Sequence, residues 1–179
     1  MSKDRFRIGV GAGFAGDRHD PARLLAESAE LDALVFECLA ERTVGLAQQR
    51  RSTGGVGYDA RTVDRIAGVA APLLARGGVI VTNGGAADPL GAARATATRL
   101  RDIAPGAVIA AVTGDDVLPT IDRSTARIDG TDETLADLGD RIVSANAYLG
   151  MSGIADGLGA GADVVVTGRV SDAALFLGP

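Results

Sequence analysis

Short, almost uninterrupted aliphatic runs alternate with stretches of helical periodicity along this chain. That alternation predicts an α/β fold with a doubly wound, mostly parallel sheet, three-layered and Rossmann-like. Val79-Ile80-Val81-Thr82 and Val164-Val165-Val166-Thr167 are apolar on both faces, as parallel strands buried between helices must be. The segments between such runs carry helix start and stop signals, and nearly every run ends in glycines with acids, amides or arginine. A partial (β/α) barrel is the alternative, because loop chemistry does not distinguish an open sheet from a closed one.

Ile8-Gly9-Val10 reads as the first strand, and Asp20-Pro21 opens the helix after it, through a capping oxygen and a ring suited to the first helical turn. Leu31–Leu39 is the second strand. Residues 60–76 follow a helical period through Val63, Ile66, Ala67, Ala70 and Leu74, and Gly77-Gly78 stops them. Val79–Thr82 is the third strand, followed by a helix from Asp88-Pro89 to about Ile103. Val108–Val112 is the fourth. Leu118–Asp132 reads as a loop or weak strand, 133–139 as a helix, Ile142–Ser144 as near-strand and Ser152–Gly159 as a helix. Val164–Thr167 is the last strand. The 179 residues form a single α/β domain, 1–179. They stop within the apolar segment Ala174-Leu175-Phe176-Leu177, as expected of the N-terminal part of something longer.

Composition narrows the function. With 46% hydrophobic residues the chain fills a core without staples, but four Phe, two Tyr and no Trp leave the packing to aliphatic side chains. A net charge of −5 argues against nucleic acid, which needs a cationic face, and against a polybasic membrane anchor. A single cysteine, Cys38, excludes a disulfide framework or a multi-cysteine metal site. The charged start Met1–Arg7 and the absence of a long apolar run point to a cytoplasmic protein without targeting signal or membrane span.

The polar residues collect at strand ends: Gly11, Gly13 and Asp17 after the first, Glu37 and Glu41 after the second, Asn83-Gly84-Gly85 after the third, Gly114-Asp115-Asp116 after the fourth, and Arg169 with Asp172 after the last. In a parallel sheet these ends share one edge, where α/β folds bind ligands. Each is also an ordinary turn residue. Gly11-Ala12-Gly13-Phe14-Ala15-Gly16 matches the dinucleotide fingerprint, with Glu37 placed for a ribose, so an NAD(P)- or FAD-binding oxidoreductase domain is one reading. The helix opens only at Asp20, however, after four polar residues. Asp115 and Asp116 could hold Mg²⁺ or work as a general base and its orienting partner. Glu37 needs a partner, with Arg169, Arg18 or a metal available, and Arg169 could clamp a carboxylate or phosphate or pair with Asp172 three residues on. His19, the only histidine, reads as a solvated loop residue, and Cys38 as packing.

Gly11-Ala12-Gly13-Phe14 with Gly16-Asp17, Leu39-Ala40-Glu41-Arg42-Thr43, Asn83-Gly84-Gly85, Gly114-Asp115-Asp116, Ala145-Asn146-Ala147-Tyr148-Leu149-Gly150 and Gly161-Ala162-Asp163 through Gly168-Arg169-Val170-Ser171-Asp172-Ala173 together resemble the N-terminal domain of the acyclic terpene utilisation family. Glu37-Cys38 stands where the family tends to aspartate then tyrosine, Gly84 where alanine is usual, and Asp88 where asparagine is usual. The resemblance implies a bacterial, cytoplasmic protein of citronellol- and geraniol-type catabolism, found beside acyl-CoA carboxylases. With the residue set read above, the expected substrate is a small carboxylated or CoA-linked acid, and hydratase, lyase or hydrolase chemistry is consistent with those residues. Catalysis would fall to Glu37, Asp115, Asp116 and Arg169, and binding to Gly11, Gly13, Asp17, Glu41, Asn83, Gly84, Gly85, Asn146, Tyr148 and Asp172. A homo-oligomer, or a non-catalytic subunit of a terpene-pathway complex, completes the expectations.

Overall fold

The computed structural model describes residues 5–179; Met1–Asp4 of the charged N-terminus lie outside the described residues. Five strands, β1 (Ile8–Ala12), β2 (Ala33–Phe36), β3 (Val79–Thr82), β4 (Ile109–Val112) and β5 (Val164–Thr167), form one sheet in the order β1-β2-β3-β5-β4. Every pairing is parallel. The register aligns Val10, Val35, Val81, Val165 and Ala110 in a row across the sheet, next to a row of Gly9, Leu34, Ile80, Val164 and Ile109.

Because successive side chains leave a strand on opposite sides, the two rows face different layers. Leu34, Phe36, Ile80, Val164 and Val166 pack with Ala22 and Ala26 of α1 (Asp20–Ser28), Ile66, Val69 and Leu73 of α3 (Ala60–Leu74), and Ala92 and Leu100 of α4 (Pro89–Leu100). Val35, Val81 and Val165 pack with Ile154 of α6 (Ser152–Gly159) and with Ala174 and Leu175 of α7 (Ala174–Leu177). Each fully buried Leu or Ile here contributes about 1.5–3 kcal/mol. Strand order and helices on both faces establish the open, doubly wound arrangement. The partial barrel is corrected by the same facts, since a barrel would run 1-2-3-4-5 with all its helices outside.

The strands and the helices α3, α4 and α6 lie where the pattern puts them, with two refinements. The second strand is shorter than Leu31–Leu39: the Glu37 N–H still donates to the Ala12 carbonyl of β1, but the N–H groups of Cys38 and Leu39 turn to side-chain oxygens. At α1, Pro21 occupies the first turn as expected, but the N-cap is His19, whose side chain does not cap, and Asp20 is the first helical residue. Asp59 and Asp88 do cap, accepting from the N–H groups of Arg61 and Gly91.

Two regions differ. Helix α2 (Glu41–Ser52) is absent from the periodicity reading, because its sequence ERTVGLAQQRRS offers only Val44 and Ala47 for burial. It packs on Leu39, Ala86 and Ala87, which are loop residues above the strand ends, and not on the sheet. Ile142–Ser144 is not a strand: that region makes only isolated bridges, Asp116 to Asn146 and Leu149 to Val170. The expected helix at 133–139 is one turn, α5 (Leu135–Leu138), closed by a capping box between Thr134 and Asp137 and followed by a 3-10 turn. Among the described residues no helix is long and apolar enough to cross a membrane.

Candidate functional site

Helices α1, α3 and α4, which follow β1, β2 and β3, pack on one face; α6 and α7, which follow β4 and β5, pack on the other. The chain therefore changes sides between β3 and β5, the switch point at which open α/β sheets place their ligands. The Asn83-Gly84-Gly85 turn and Gly168-Arg169 flank that point. They meet closely: the Gly85 N–H donates to the Thr167 carbonyl at 3.1 Å. A Cβ at Gly85 would lie 2.6 Å from the Thr167 oxygen and 2.7 Å from the Pro89 Cα, and one at Gly84 would strike Thr62. The Gly84 N–H donates to Thr82 Oγ1 at 3.0 Å. These glycines allow close approach, and their N–H groups are already engaged.

Around this junction the polar side chains form one connected network. Glu37 Oε1 accepts from Asn83 Nδ2 at 2.9 Å and from the Leu39 N–H at 3.0 Å. Asn83, fully buried, accepts the Cys38 N–H on its Oδ1 at 2.6 Å. The Leu39 carbonyl accepts from Arg169 Nη1 at 2.6 Å. The Arg169 backbone N–H donates to Asp115 Oδ2 at 2.8 Å, and Asn146 Nδ2 donates to the same oxygen at 3.0 Å. Arg169 and Asp115 are only 5% and 4% exposed. Among the described residues Glu37 thus finds an asparagine and a backbone N–H as its partners, not Arg18 or Arg169.

The outer half of the network is solvated. The Arg169 guanidinium stacks on the Tyr148 ring, 3.9 Å from its centroid, and Nη2 lies 3.4 Å from Asp172 and 3.6 Å from Glu41. The Tyr148 hydroxyl donates to Glu41 Oε1. That bond holds the Glu41 carboxyl below its usual range and pushes the Tyr148 phenol above its own. The Asp172 contact is the i, i+3 pairing expected from the spacing; it leaves the guanidinium in place beside Glu41. Cys38 is pushed up to about 12, chiefly by burial, against the opposing pull of Arg65 and with a smaller push from Glu37.

The β1 loop stands apart from this network. The Gly13 N–H donates to Asp17 Oδ2 at 2.9 Å, and Gly11, Gly13 and Asp17 line their own groove with Arg18 and Pro21. A Cβ at Gly11 would lie 2.5 Å from the Phe36 ring, and one at Gly16 would meet the Phe14 ring. Two of the fingerprint glycines therefore have packing reasons. The Asp17 carboxylate takes the N–H that a pyrophosphate would need, and repels that anion. Arg65, missed in the sequence, anchors this loop: its Nη2 donates to the carbonyls of Ala15 at 2.6 Å and Asp17 at 2.9 Å, and Nη1 lies 3.4 Å from Cys38 Sγ. The signal was present, since Arg65 sits in the buried stripe Thr62, Ile66, Val69, Leu73 of α3.

Asp115 and Asp116 border a cleft of about 290 Å³ with Asp88, Thr113 and Asn146, roofed by Gln48 and Arg51 of α2. The Leu118 N–H donates to Asp116 Oδ1 at 3.2 Å. No three His, Cys, Asp or Glu side chains among the described residues are placed to hold a metal. An ion here would rest on one or two carboxylates and on oxygens from solvent or ligand.

A family model described as acyclic terpene utilisation family protein AtuA matches residues 6–179. The chain belongs to the acyclic terpene utilisation family. No protein of curated function and no solved structure shows a significant match. Within this family member, Glu37 and Asn83 contact each other, Glu41, Asp115, Asn146, Tyr148, Arg169 and Asp172 form a second contacting set, and the Leu39 main chain joins the two at the sheet's carboxyl edge; Gly11, Gly13 and Asp17 occupy a neighbouring groove, and Asp116 the cleft beside it.

Proposed function

We propose that this protein binds a small carboxylated or CoA-linked acid of acyclic terpene catabolism at the carboxyl edge of its sheet and performs acid–base chemistry of the hydratase, lyase or hydrolase type on it. Arg169 is the observation that carries this reading. Its guanidinium is buried, oriented by the Leu39 carbonyl and the Tyr148 ring, yet Nε has no hydrogen-bond partner among the described residues. Among the described residues the carboxylates that meet Nη2, Glu41 and Asp172, do so at long range and are themselves 76% and 65% exposed. Nε and Nη2 form the side of a guanidinium that pairs bidentately with a carboxylate. Buried donors left unpaired are rare, because each forfeits its hydration. A ligand carboxylate that displaces Glu41 or Asp172 completes the set.

Glu37 is the proposed base. Asn83 and the Leu39 N–H orient its Oε1, and Oε2 accepts no hydrogen bond among the described residues. Asp115, with its Oδ2 committed to Arg169 and Asn146, positions these two groups, and Asp116 supplies a second carboxylate at the cleft, alone or through Mg²⁺. Calorimetric titration with the free acids citronellate and geranate tests the carboxylate pairing, and these acids with their CoA thioesters, which carry no carboxylate, are assayed for turnover. Arg169→Lys keeps the charge but loses the fork, so affinity falls about tenfold or more while the fold is retained. Unchanged affinity would remove Arg169 from recognition. Glu37→Gln keeps binding and abolishes turnover of whichever compound is converted; turnover at the wild-type rate would remove Glu37 as the base.

A further inference from the structure

On the outer side of α2 lies a groove of about 480 Å³ that the network does not use. Its floor comes from the β1 loop and its far wall from the start of α3. Arg42, Leu46 and Arg50 follow one another at i, i+4 and i+8, so they share a face of α2, with the two arginines about 12 Å apart along its axis. Phe14, 65% exposed, and Tyr58 supply aromatic surface between them, and Arg61 closes the end. Arg61 is engaged by Asp59. Arg42 and Arg50 have no ion pair or side-chain hydrogen bond among the described residues. The next residue, Arg51, turns to the opposite side and donates to the Ala87 carbonyl at 2.8 Å, so the grouping on the outer face is not a property of the whole arginine run.

In a chain of net charge −5, unpaired cations at both ends of an apolar, aromatic-walled groove complement a ligand with two separated anionic groups and a flat body between them. A simple fatty or terpenoid acid has one anionic group and leaves an arginine unmatched. We propose that this groove binds an adenosine carrying phosphates at two positions, the base against Phe14 and Tyr58 and the phosphates on Arg42 and Arg50. The 3′-phosphoadenosine diphosphate end of a CoA thioester has that chemistry, and a free adenine nucleotide shares part of it. Choosing the thioester rests on the reading under Proposed function and deepens it. The two regions meet at the start of α2, where Glu41 faces Tyr148 and Arg169 while Arg42 lines the groove.

Calorimetry with CoA, 3′-dephospho-CoA, ADP and pantetheine tests the groove directly. CoA binds, pantetheine does not, and Arg42→Ala/Arg50→Ala weakens CoA by about tenfold or more, as expected for losing two charge-assisted contacts. Phe14→Ala weakens it further, and Arg169→Lys, in the other site, leaves it unchanged. A loss of affinity in dephospho-CoA assigns the groove to CoA. Equal binding of ADP and CoA, still sensitive to the arginines, overturns the two-position assignment and makes the groove a site for a free 5′-nucleotide. No binding of CoA or ADP, or binding indifferent to Arg42 and Arg50, overturns the inference. That failure is separable from failure of the function proposed above, which would show as lost carboxylate recognition at Arg169 with CoA binding intact.

Discussion

Replacing Asn83 with aspartate exchanges one amide nitrogen for an oxygen at the centre of the network. The retained oxygen still accepts the Cys38 N–H, but the new one faces Glu37 Oε1 across the 2.9 Å now spanned by a hydrogen bond. Two ionised oxygens at that distance repel by about 6 kcal/mol at an effective dielectric of 20. Holding one proton between them costs less: about 4 kcal/mol at pH 7 and about 1.5 kcal/mol at pH 5, taking an ordinary aspartate value near 3.9. Protonation wins, so Asn83→Asp keeps a proton in the folded state that the unfolded chain releases. Stability must then fall as pH rises from the unfolded carboxyl range toward the raised folded value. Urea unfolding followed by circular dichroism, in a protein without tryptophan, measures this. The stability difference from wild type should widen by about 3 kcal/mol between pH 5 and pH 7. Asn83→Leu, which leaves the buried Cys38 N–H unpaired, should lose about 1–3 kcal/mol with no comparable pH dependence. An equal penalty for Asn83→Asp at both pH values would show that Asn83 and Glu37 do not meet as described.

Other expectations follow from the same geometry. Gly85→Ala forces a methyl against the Thr167 carbonyl and the Pro89 backbone and should cost about 1–3 kcal/mol or more, whereas Gly13→Ala, with nothing within 4 Å of the new Cβ, should stay within about 0.5 kcal/mol; thermal melts compare the two. With its value pushed from 9.0 to about 12, Cys38 should react with a thiol reagent at pH 8 about a thousandfold more slowly in the folded protein than in urea, and equal rates would place it at the surface. Because the folded thiol holds its proton to higher pH than the unfolded one, its contribution to stability drains away as pH rises from about 9 toward 12. Glu41→Gln should bring the Tyr148 phenol back down toward its ordinary range, read as tyrosinate absorbance at 295 nm; an unchanged titration would break the Glu41–Tyr148 link.

Much of the fold was written in composition alone. Val79–Thr82 and Val164–Thr167 are apolar on both faces, which only a doubly covered strand tolerates, and Asp88-Pro89 marks a helix start by its own chemistry. Helix α2 was not legible because it rests on a loop and not on the sheet, so it needs two buried residues and not a stripe. Convergence of Glu37, Asn83, Asp115 and Arg169 followed from their places at strand ends, but what joins them did not. The link runs through the Leu39 carbonyl and N–H, main-chain groups that no side-chain pattern announces. At Gly11–Gly16 the structure adds packing contacts that spacing does not announce. The spacing there matches a phosphate loop, and in the structure Gly11 and Gly16 make room for Phe36 and Phe14 while the Gly13 N–H donates to Asp17.

The central claim is that Arg169 reserves donors for a ligand carboxylate, and its own Nε–H resonance reports on that directly. In nitrogen-resolved NMR of labelled protein titrated with citronellate or geranate, the Arg169 Nε signal should shift saturably, with the Asn83 and Asn146 side-chain amides following it. Saturable binding that moves other arginine signals and leaves Arg169 where it began would contradict the account.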